Sequence, residues 1–229
     1  MRGTGITVVK LGGSHARSKH LAPWLDVLSR CGGRAVIVTG GGAFADAVRA
    51  MQPVMHFDDR AAHHMALLAM EQYALALASL RSSFTLAASI AAIRRALREG
   101  RVPIWSPVAM VLRARDVPAR WDITSDSLAA WLAGRIGAKQ LLLVKHGPAP
   151  AGVVHAGALS ERGVVDPAFP RFLAASGVGA ALVAADGHAA AGDAIRGTTR
   201  LAGRIEVRET THARLLPWPR SRRRAGVGR

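Results

Sequence analysis

The sequence predicts an α/β protein built as an open sandwich around a mostly parallel sheet. Three observations predict it. Short apolar runs rich in β-branched residues alternate along the chain with longer helical patterns. The apolar runs are continuous, which is typical of strands buried on both faces. Half of the 229 residues are hydrophobic, and a chain of this length buries a sizeable core.

Each predicted element follows from a local pattern. Runs of Val, Ile, Leu and Ala that are bounded by glycine or polar residues predict strands at residues 6–11, 35–39, 84–87, 102–105, 141–145, 181–185 and 204–207. Longer segments with apolar residues at helical spacing predict helices at residues 19–30, 43–51, 58–80, 89–99, 125–136 and 167–176. The regular exchange of strand and helix favours parallel pairing.

The composition narrows the class of protein. No apolar run reaches the roughly 18 residues that cross a bilayer, and the N-terminus passes directly into the first strand without a signal-peptide pattern. The single cysteine, Cys31, excludes an internal disulfide and suits a reducing compartment. We therefore predict a cytoplasmic protein with no membrane partner.

The net charge of +16 comes mainly from arginine, because only four of the 31 basic residues are lysines. This skew is typical of a GC-rich coding bias. Five arginines lie in the last ten residues, "RSRRRAGVGR", and residues 216–229 are predicted to form a basic disordered tail. A nucleic-acid or membrane contact through this tail is the alternative. No nucleic-acid partner is expected, since basic and aromatic residues do not interleave.

The stretch "VVKLGGSHAR", residues 8–17, ends the first predicted strand on Lys10. Gly12, Gly13 and Ser14 then form the turn. Glycines at a strand exit let a ligand approach bare backbone, and the lysine adds a cation. The arrangement suits an anion such as phosphate, and an ordinary turn is the alternative explanation of the glycines.

A second glycine turn, Gly40, Gly41 and Gly42, follows the second predicted strand in "VIVTGGGAFADAVR" and precedes a helix. Exposed backbone N–H groups at the positive end of a helix bind anions. Because the carboxyl ends of parallel strands meet at one edge of a sheet, both glycine turns are expected at the same edge. One glycine would suffice for a tight turn, so three favour an anion site.

A third segment, "RWDITSDSLAAWLAGRIGAKQLLLVKHG", covers residues 120–147. Thr124 or Ser125 is predicted to cap a helix, with Asp126 in its first turn, where a negative charge is favourable without any function. The strand that follows again ends on a lysine, Lys145. Two of the four lysines therefore end buried strands.

These three segments, in this order over residues 6 to 207, resemble the amino acid kinase family. The resemblance implies a three-layer αβα sandwich with an acceptor-binding lobe at residues 1–115 and an ATP-binding lobe at residues 116–215. It also implies a kinase that uses ATP with Mg²⁺, acts on a small phosphate or carboxylate acceptor, and forms a homo-oligomer. "GGGAFADAVR" and "WDITSDSLAAWLA" further resemble a branch similar to the aminomethylfuranmethanol phosphate kinases of methanofuran biosynthesis, which act on a phosphate.

The resemblance also implies residue roles. Lys10 would bridge the phosphoryl group that moves, and Asp126 would hold the catalytic lysines in place. Phosphate-binding residues would be Gly12, Gly13 and Ser14, and the acceptor's anionic group would lie on Gly40, Gly41 and Gly42 with Thr124 nearby. The Mg²⁺ ion would be held mainly by nucleotide phosphates and water.

The chain departs from the family pattern on the nucleotide side. The family usually has an Asp-Gly pair after this strand, whereas here Lys145 and His146 precede Gly147. No lysine follows Lys145, so either Lys145 or an arginine such as Arg171 or Arg196 fills the role of the late catalytic lysine. This departure motivates an alternative function, a non-catalytic nucleotide- or oxyanion-binding or storage protein on the same fold.

The acceptor side of the resemblance falls on "HFDDRAAHHMALLAMEQYALALA", residues 56–78. Arg60 could pair with a carboxylate or phosphate, and Asp58 or Asp59 could receive an ammonium group of the acceptor. The alternative is an ordinary first helical turn that carries favourable acidic charge.

Two residue pairs are candidates for ligand contacts. His63 and His64 are adjacent, so they point about 100° apart on a helix and cannot both bind one metal; no metal site is predicted. Trp131 is expected in the core, whereas Trp121 lies where a ligand ring could stack.

Overall fold

The computed structural model describes residues 5–199 and 201–207. Within this part of the chain one sheet has eight strands in the order β3-β4-β2-β1-β5-β7-β8-β6. The strands are β1 Thr7–Leu11, β2 Ala35–Thr39, β3 Phe84–Ala87, β4 Val102–Trp105, β5 Gln140–Lys145, β6 Val154–His155, β7 Gly179–Ala184 and β8 Arg204–Glu206. All pairings are parallel except that of β7 with β8.

Helices connect the strands, and a 3₁₀ turn at Gly13–Arg17 follows β1 directly. The helices described are α1 Leu21–Ser29, α2 Gly42–Met55, α3 Asp59–Ser79, α4 Ile90–Arg98, α5 Val108–Val111, α6 Ser125–Ile136, α7 Ala156–Glu161, α8 Phe169–Ser176 and α9 His188–Arg196. None of them is both long enough and apolar enough to cross a membrane.

Both faces of the sheet are buried, as the continuous apolar strands predict. One face presents Val8 and Leu143 to a core that includes α4, α6 and α8. The other presents Val9 and Leu142 to a core that includes α1 and α9. Alternate residues of a strand point to opposite faces, so each central strand contributes to both cores. The predicted three-layer α/β sandwich with a mostly parallel sheet is confirmed.

The elements missing from the sequence prediction are short or weakly patterned. They are β6, α5, α7, α9 and the 3₁₀ turn. The predicted helix 43–51 continues to Met55 although Pro53 lies within it. The predicted tail at residues 216–229 lies outside the described residues.

Candidate active site

Two lysines and one aspartate form a buried ion cluster at the carboxyl ends of β1 and β5. Lys10 Nζ lies 3.0 Å from Asp126 Oδ1, and Lys145 Nζ lies 2.8 Å from Asp126 Oδ2. The lysines follow Val8 and Leu143 by two residues, so they point to the face that packs against α6. Both ammonium groups therefore lie next to the first turn of that helix.

Burial and charge act in opposite directions on Asp126, which is only 4 % exposed. Burial alone would raise the pKa of Asp126, but Lys10 and Lys145 together outweigh it and hold this pKa below its ordinary value. Burial, reinforced by Lys10, lowers the pKa of Lys145 despite the opposing carboxylate. Two cations share one anion, so the cluster offers positive charge to an incoming anionic group.

Asp166, which is not among the site residues predicted from the sequence, organises the helix end that carries Asp126. Its Oδ2 accepts hydrogen bonds from Thr124 N (3.0 Å), Thr124 Oγ1 (2.8 Å) and Ser127 N (3.0 Å). Thr124 is the N-cap of α6, as one of the two predicted alternatives. The only signal in the sequence is an Asp-Pro pair at residues 166–167, about 40 residues away from the helix that it caps.

The structure brings Lys145, and neither alternative arginine, to Asp126. The guanidinium of Arg171 lies over the Phe172 ring, 5.2 Å from its centroid. Arg196 pairs with Asp193 at 2.8 Å. The position of Lys145 supports it as the counterpart of the family's late lysine, and its catalytic role stays a prediction.

The two glycine turns contact each other. A Cβ on Gly13 would lie 2.1 Å from the backbone nitrogen of Gly42, and one on Gly40 would lie 2.6 Å from the nitrogen of Gly13. Gly42 also has a φ of +53°, which favours glycine. The close approach of these backbones therefore requires glycine for a structural reason, in addition to any ligand.

We expect Gly13→Ala to lower the free energy of unfolding by about 3 kcal/mol, because the added methyl group meets backbone that cannot move aside. Gly157→Ala is the matched control, since a Cβ there meets nothing within 4 Å. Urea unfolding of both variants measures the effect. Equal stability of the two variants would contradict the close contact.

A cavity of about 430 Å³ opens beside the ion cluster, between the glycine turns, α2, α3 and the start of α6. Its lining combines bare backbone, three arginines and an apolar wall. The guanidinium of Arg49 lies over the Trp121 ring, 4.5 Å from its centroid. The principal lining residues are Gly13, Ser14, Arg17, Gly40, Gly41, Gly42, Arg49, Asp59, His63, Leu67, Met70, Arg120, Trp121, Thr124 and Leu128.

The predicted acceptor residues are distributed unevenly around this cavity. The three consecutive glycines, Thr124 and Asp59 line it, whereas Asp58 and Arg60 are not among its lining residues. The Asp58 side chain caps α3 by accepting a hydrogen bond from Ala61 N at 2.7 Å. The acceptor-binding roles of Asp58 and Arg60 stay predictions that this placement does not support.

Several lining residues were missed or set aside from the sequence. Arg17 reaches the cavity from the turn after β1 and Arg49 from the middle of α2, so their meeting depends on tertiary packing. His63 also lines it, whereas Trp131 lies in the core, stacked on Trp105 with ring centroids 5.9 Å apart.

His15 and His146 form a stacked pair next to the ion cluster. Their ring centroids are 4.1 Å apart with an interplanar angle of 21°. His15 is buried, with Nε2 3.4 Å from the carbonyl oxygen of Val144. Burial, reinforced by the neighbouring His146, lowers the pKa of His15 to about 4. His15 is therefore uncharged at neutral pH.

The lowered pKa of His15 predicts a loss of stability in acid. Below pH 6.5 the unfolded chain binds a proton at His15 that the folded chain does not bind until about pH 4. The free energy of unfolding should therefore fall by about 2 kcal/mol between pH 7 and pH 4.5 from this group. Urea unfolding at both pH values should show a shallower pH dependence for His15→Leu. An identical pH dependence in the two proteins would exclude His15 as its source.

The sequence and the fold are similar to those of known proteins. A model of the amino acid kinase family matches residues 5–148. The structure is similar to a uridylate kinase from Archaeoglobus fulgidus, with 15% identity, a TM-score of 0.63 and coverage of 87% of this chain and 98% of that one. It is also similar to the UMP kinase of Ureaplasma parvum (16% identity, TM-score 0.66, 90% and 97% covered) and that of Bacillus anthracis (13%, 0.65, 88% and 95%). No curated protein matches the chain.

The three structural similarities, at such low identities, show the fold. The family match covers more than half of the chain and includes the strands that carry Lys10 and Lys145, both glycine turns and Asp126. The chain therefore belongs to the amino acid kinase family, a family of phosphotransferases.

Proposed function

We propose that the protein is an ATP-dependent kinase that transfers the γ-phosphoryl group to a small anionic acceptor bound in the cavity. One observation carries the proposal: two adjacent strands each carry, at or next to their last residue, a lysine that contacts the same buried carboxylate, beside a cavity lined by two glycine turns. Phosphoryl transfer depends mainly on positioning and on neutralising the negative charge of in-line oxygens. The cluster is suited to both tasks.

The two lysines and the aspartate of the cluster have different roles. Lys10 and Lys145 would contact phosphoryl oxygens and neutralise the charge that develops on them. Asp126 would fix the two ammonium groups and would not act as a base, because each of its oxygens faces a lysine and its pKa is lowered. The Gly12–Gly13 turn would add backbone N–H donors close to Lys10.

The residues present fit a nucleoside triphosphate with Mg²⁺. The cationic cluster and the bare glycine backbone suit phosphates, and residues 116–215 would hold the rest of the nucleotide. Bound Mg²⁺ supplies further neutralisation of phosphate charge. No group of three metal-ligating side chains occurs within residues 5–199 and 201–207, so nucleotide phosphates and water would hold most of its coordination sites.

The cavity favours a phosphate monoester over a carboxylate as acceptor. Arg17 lines it, and Arg17 takes part in none of the ion pairs found within residues 5–199 and 201–207. The start of α2 directs unpaired backbone N–H groups toward the same space. A volume of about 430 Å³ accommodates a small molecule. The product of transfer to such an acceptor would be a diphosphate.

The rest of the cavity is compatible with a ring that carries an ammonium group. Trp121 and Leu67 offer apolar surface, and Asp59 offers a carboxylate. An acceptor similar to aminomethylfuranmethanol phosphate combines a phosphate, a furan ring and an ammonium group. We therefore propose this class of acceptor, which would place the protein in the biosynthesis of a methanofuran-type one-carbon cofactor. Further copies of this chain are the proposed protein partner.

The test is incubation of the pure protein with Mg-ATP and a panel of acceptors, followed by mass spectrometry. The panel contains aminomethylfuranmethanol phosphate, UMP, isopentenyl phosphate, acetylglutamate, aspartate, glutamate and carbamate. We expect the furan phosphate to gain about 80 mass units, the mass of one phosphoryl group.

If another member of the panel gains this mass, the proposed kinase activity would be supported and the proposed acceptor would change. Bound ATP that stays intact with every acceptor would contradict the proposal. It would then favour the alternative of a non-catalytic nucleotide- or oxyanion-binding or storage protein.

A further inference from the structure

A hydrogen bond joins the turn after β1 to the turn after β5 at the ion cluster. Ser14 is the first side chain after the glycine pair, and its Oγ lies 3.1 Å from Nε2 of His146. His146 directly follows Lys145 along the chain. The two segments that carry the catalytic lysines are therefore connected through these side chains.

Ser14 lies beside the space where the phosphoryl group would lie. The position of a Cβ on Gly12 is 3.2 Å from Lys10 Nζ and 3.5 Å from Ser14 Oγ. The ammonium group and the hydroxyl therefore border the same point above the glycine backbone. Ser14 also lines the acceptor cavity.

The His146 ring is exposed but held in place from one side. It stacks on His15, which is 1 % exposed and contacts the backbone of Val144. His15 carries no charge at neutral pH because burial lowers its pKa to about 4. The stack therefore fixes the ring plane of His146 without placing another cation there.

We propose that His146 is a positioning residue that orients the Ser14 hydroxyl toward the phosphoryl group in transfer. The Nε2–H of His146 donates to Ser14 Oγ, which leaves the Ser14 proton free to donate to a phosphoryl oxygen beside Lys10. No bond to either side chain forms or breaks. This inference rests on the proposed kinase function, because it names a donor for the same transfer.

Four variants, two of His146, one of Ser14 and one of both residues, test the proposal by steady-state kinetics with the acceptor found in the panel. His146→Leu removes the donor and should lower kcat about 10-fold while changing the acceptor KM less than about 3-fold. His146→Gln keeps an N–H donor at a similar reach and should regain most of kcat. In a Ser14→Ala background, His146→Leu should have less than about a 2-fold further effect.

His64→Leu is the control, because His64 is exposed and lies outside the cavity lining; its kcat should equal that of the wild type. Two kinetic results would overturn the proposal. One is a His146→Gln variant as slow as His146→Leu, which would leave only packing of the ring. The other is full multiplication of the His146→Leu and Ser14→Ala effects, which would show that the two side chains act independently.

Imidazole ¹⁵N NMR separates this proposal from the kinase proposal, since it requires no turnover. We expect the Nε2-protonated form of His146 and a change in its signal in Ser14→Ala. If this NMR result is found for a protein that phosphorylates no acceptor, the His146–Ser14 contact would be supported and the kinase function rejected. A His146 protonated only at Nδ1 would overturn the positioning role whatever the activity.

Discussion

Replacing Asp126 with alanine is expected to lower the free energy of unfolding by about 3 to 5 kcal/mol and to abolish phosphoryl transfer. The carboxylate is buried and holds Lys10 at 3.0 Å and Lys145 at 2.8 Å. Its removal would leave two partly desolvated ammonium groups facing each other without an anion. Both the position and the charge of the proposed catalytic cations would then be lost.

Urea unfolding and a transfer assay on the same preparation measure the two effects of Asp126→Ala. Asp26→Ala is the control, because Asp26 also pairs with a basic residue, Arg81, but is about half exposed. An exposed ion pair contributes at most about 1 kcal/mol, so this control should retain stability and activity. An Asp126→Ala protein as stable as the control would contradict the account of the buried cluster.

Lys10→Met is expected to lower kcat by about 10³-fold and to leave the fold intact, because methionine keeps the aliphatic volume and removes the cation. Asp126 retains Lys145 as a partner in this variant, so no charge is left unpaired. Circular dichroism and the transfer assay measure the two outcomes.

Lys139→Met supplies the matched control for Lys10→Met, since Lys139 is exposed and precedes β5 rather than ending it. We expect wild-type turnover from this control. Wild-type turnover from Lys10→Met itself would remove Lys10 from the mechanism.

The sequence was sufficient to predict most of the sheet and the edge where the candidate site lies, for one physical reason. The strands are buried on both faces, so their continuous apolar runs are distinctive, and lysines that end such runs are conspicuous. Parallel pairing then brings the ends of β1, β2 and β5 to one edge. The meeting of Lys10 and Lys145 at α6 follows from this geometry.

The remaining site residues depend on contacts between segments that are distant in sequence. Asp166 caps α6 from the loop before α8, and His15 stacks on a residue 131 positions later. Neither contact leaves a local pattern that identifies its distant partner. Asp58 is a different case, because its position before a helix is equally consistent with a helix cap and with a ligand contact. In the structure its side chain caps α3.

Both predicted lobes contribute residues to the lining of the cavity. Gly41 and Arg49 line it from the predicted acceptor-binding lobe, and Trp121 and Thr124 line it from the predicted ATP-binding lobe. The boundary near residue 115 stays a prediction. The acceptor would lie where both parts of the chain contact it.

The measurement that tests the central claim most directly is ³¹P NMR of the protein with Mg-ATP and aminomethylfuranmethanol phosphate. Transfer to a phosphate forms a P–O–P bond. We therefore expect two mutually coupled phosphorus signals of the diphosphate product, distinct from the two signals of ADP. They should grow as the γ signal of ATP is lost. Loss of the γ signal with release of inorganic phosphate alone, or no change in ATP at all, would contradict the claim that this site phosphorylates an aminomethylfuran-type phosphate.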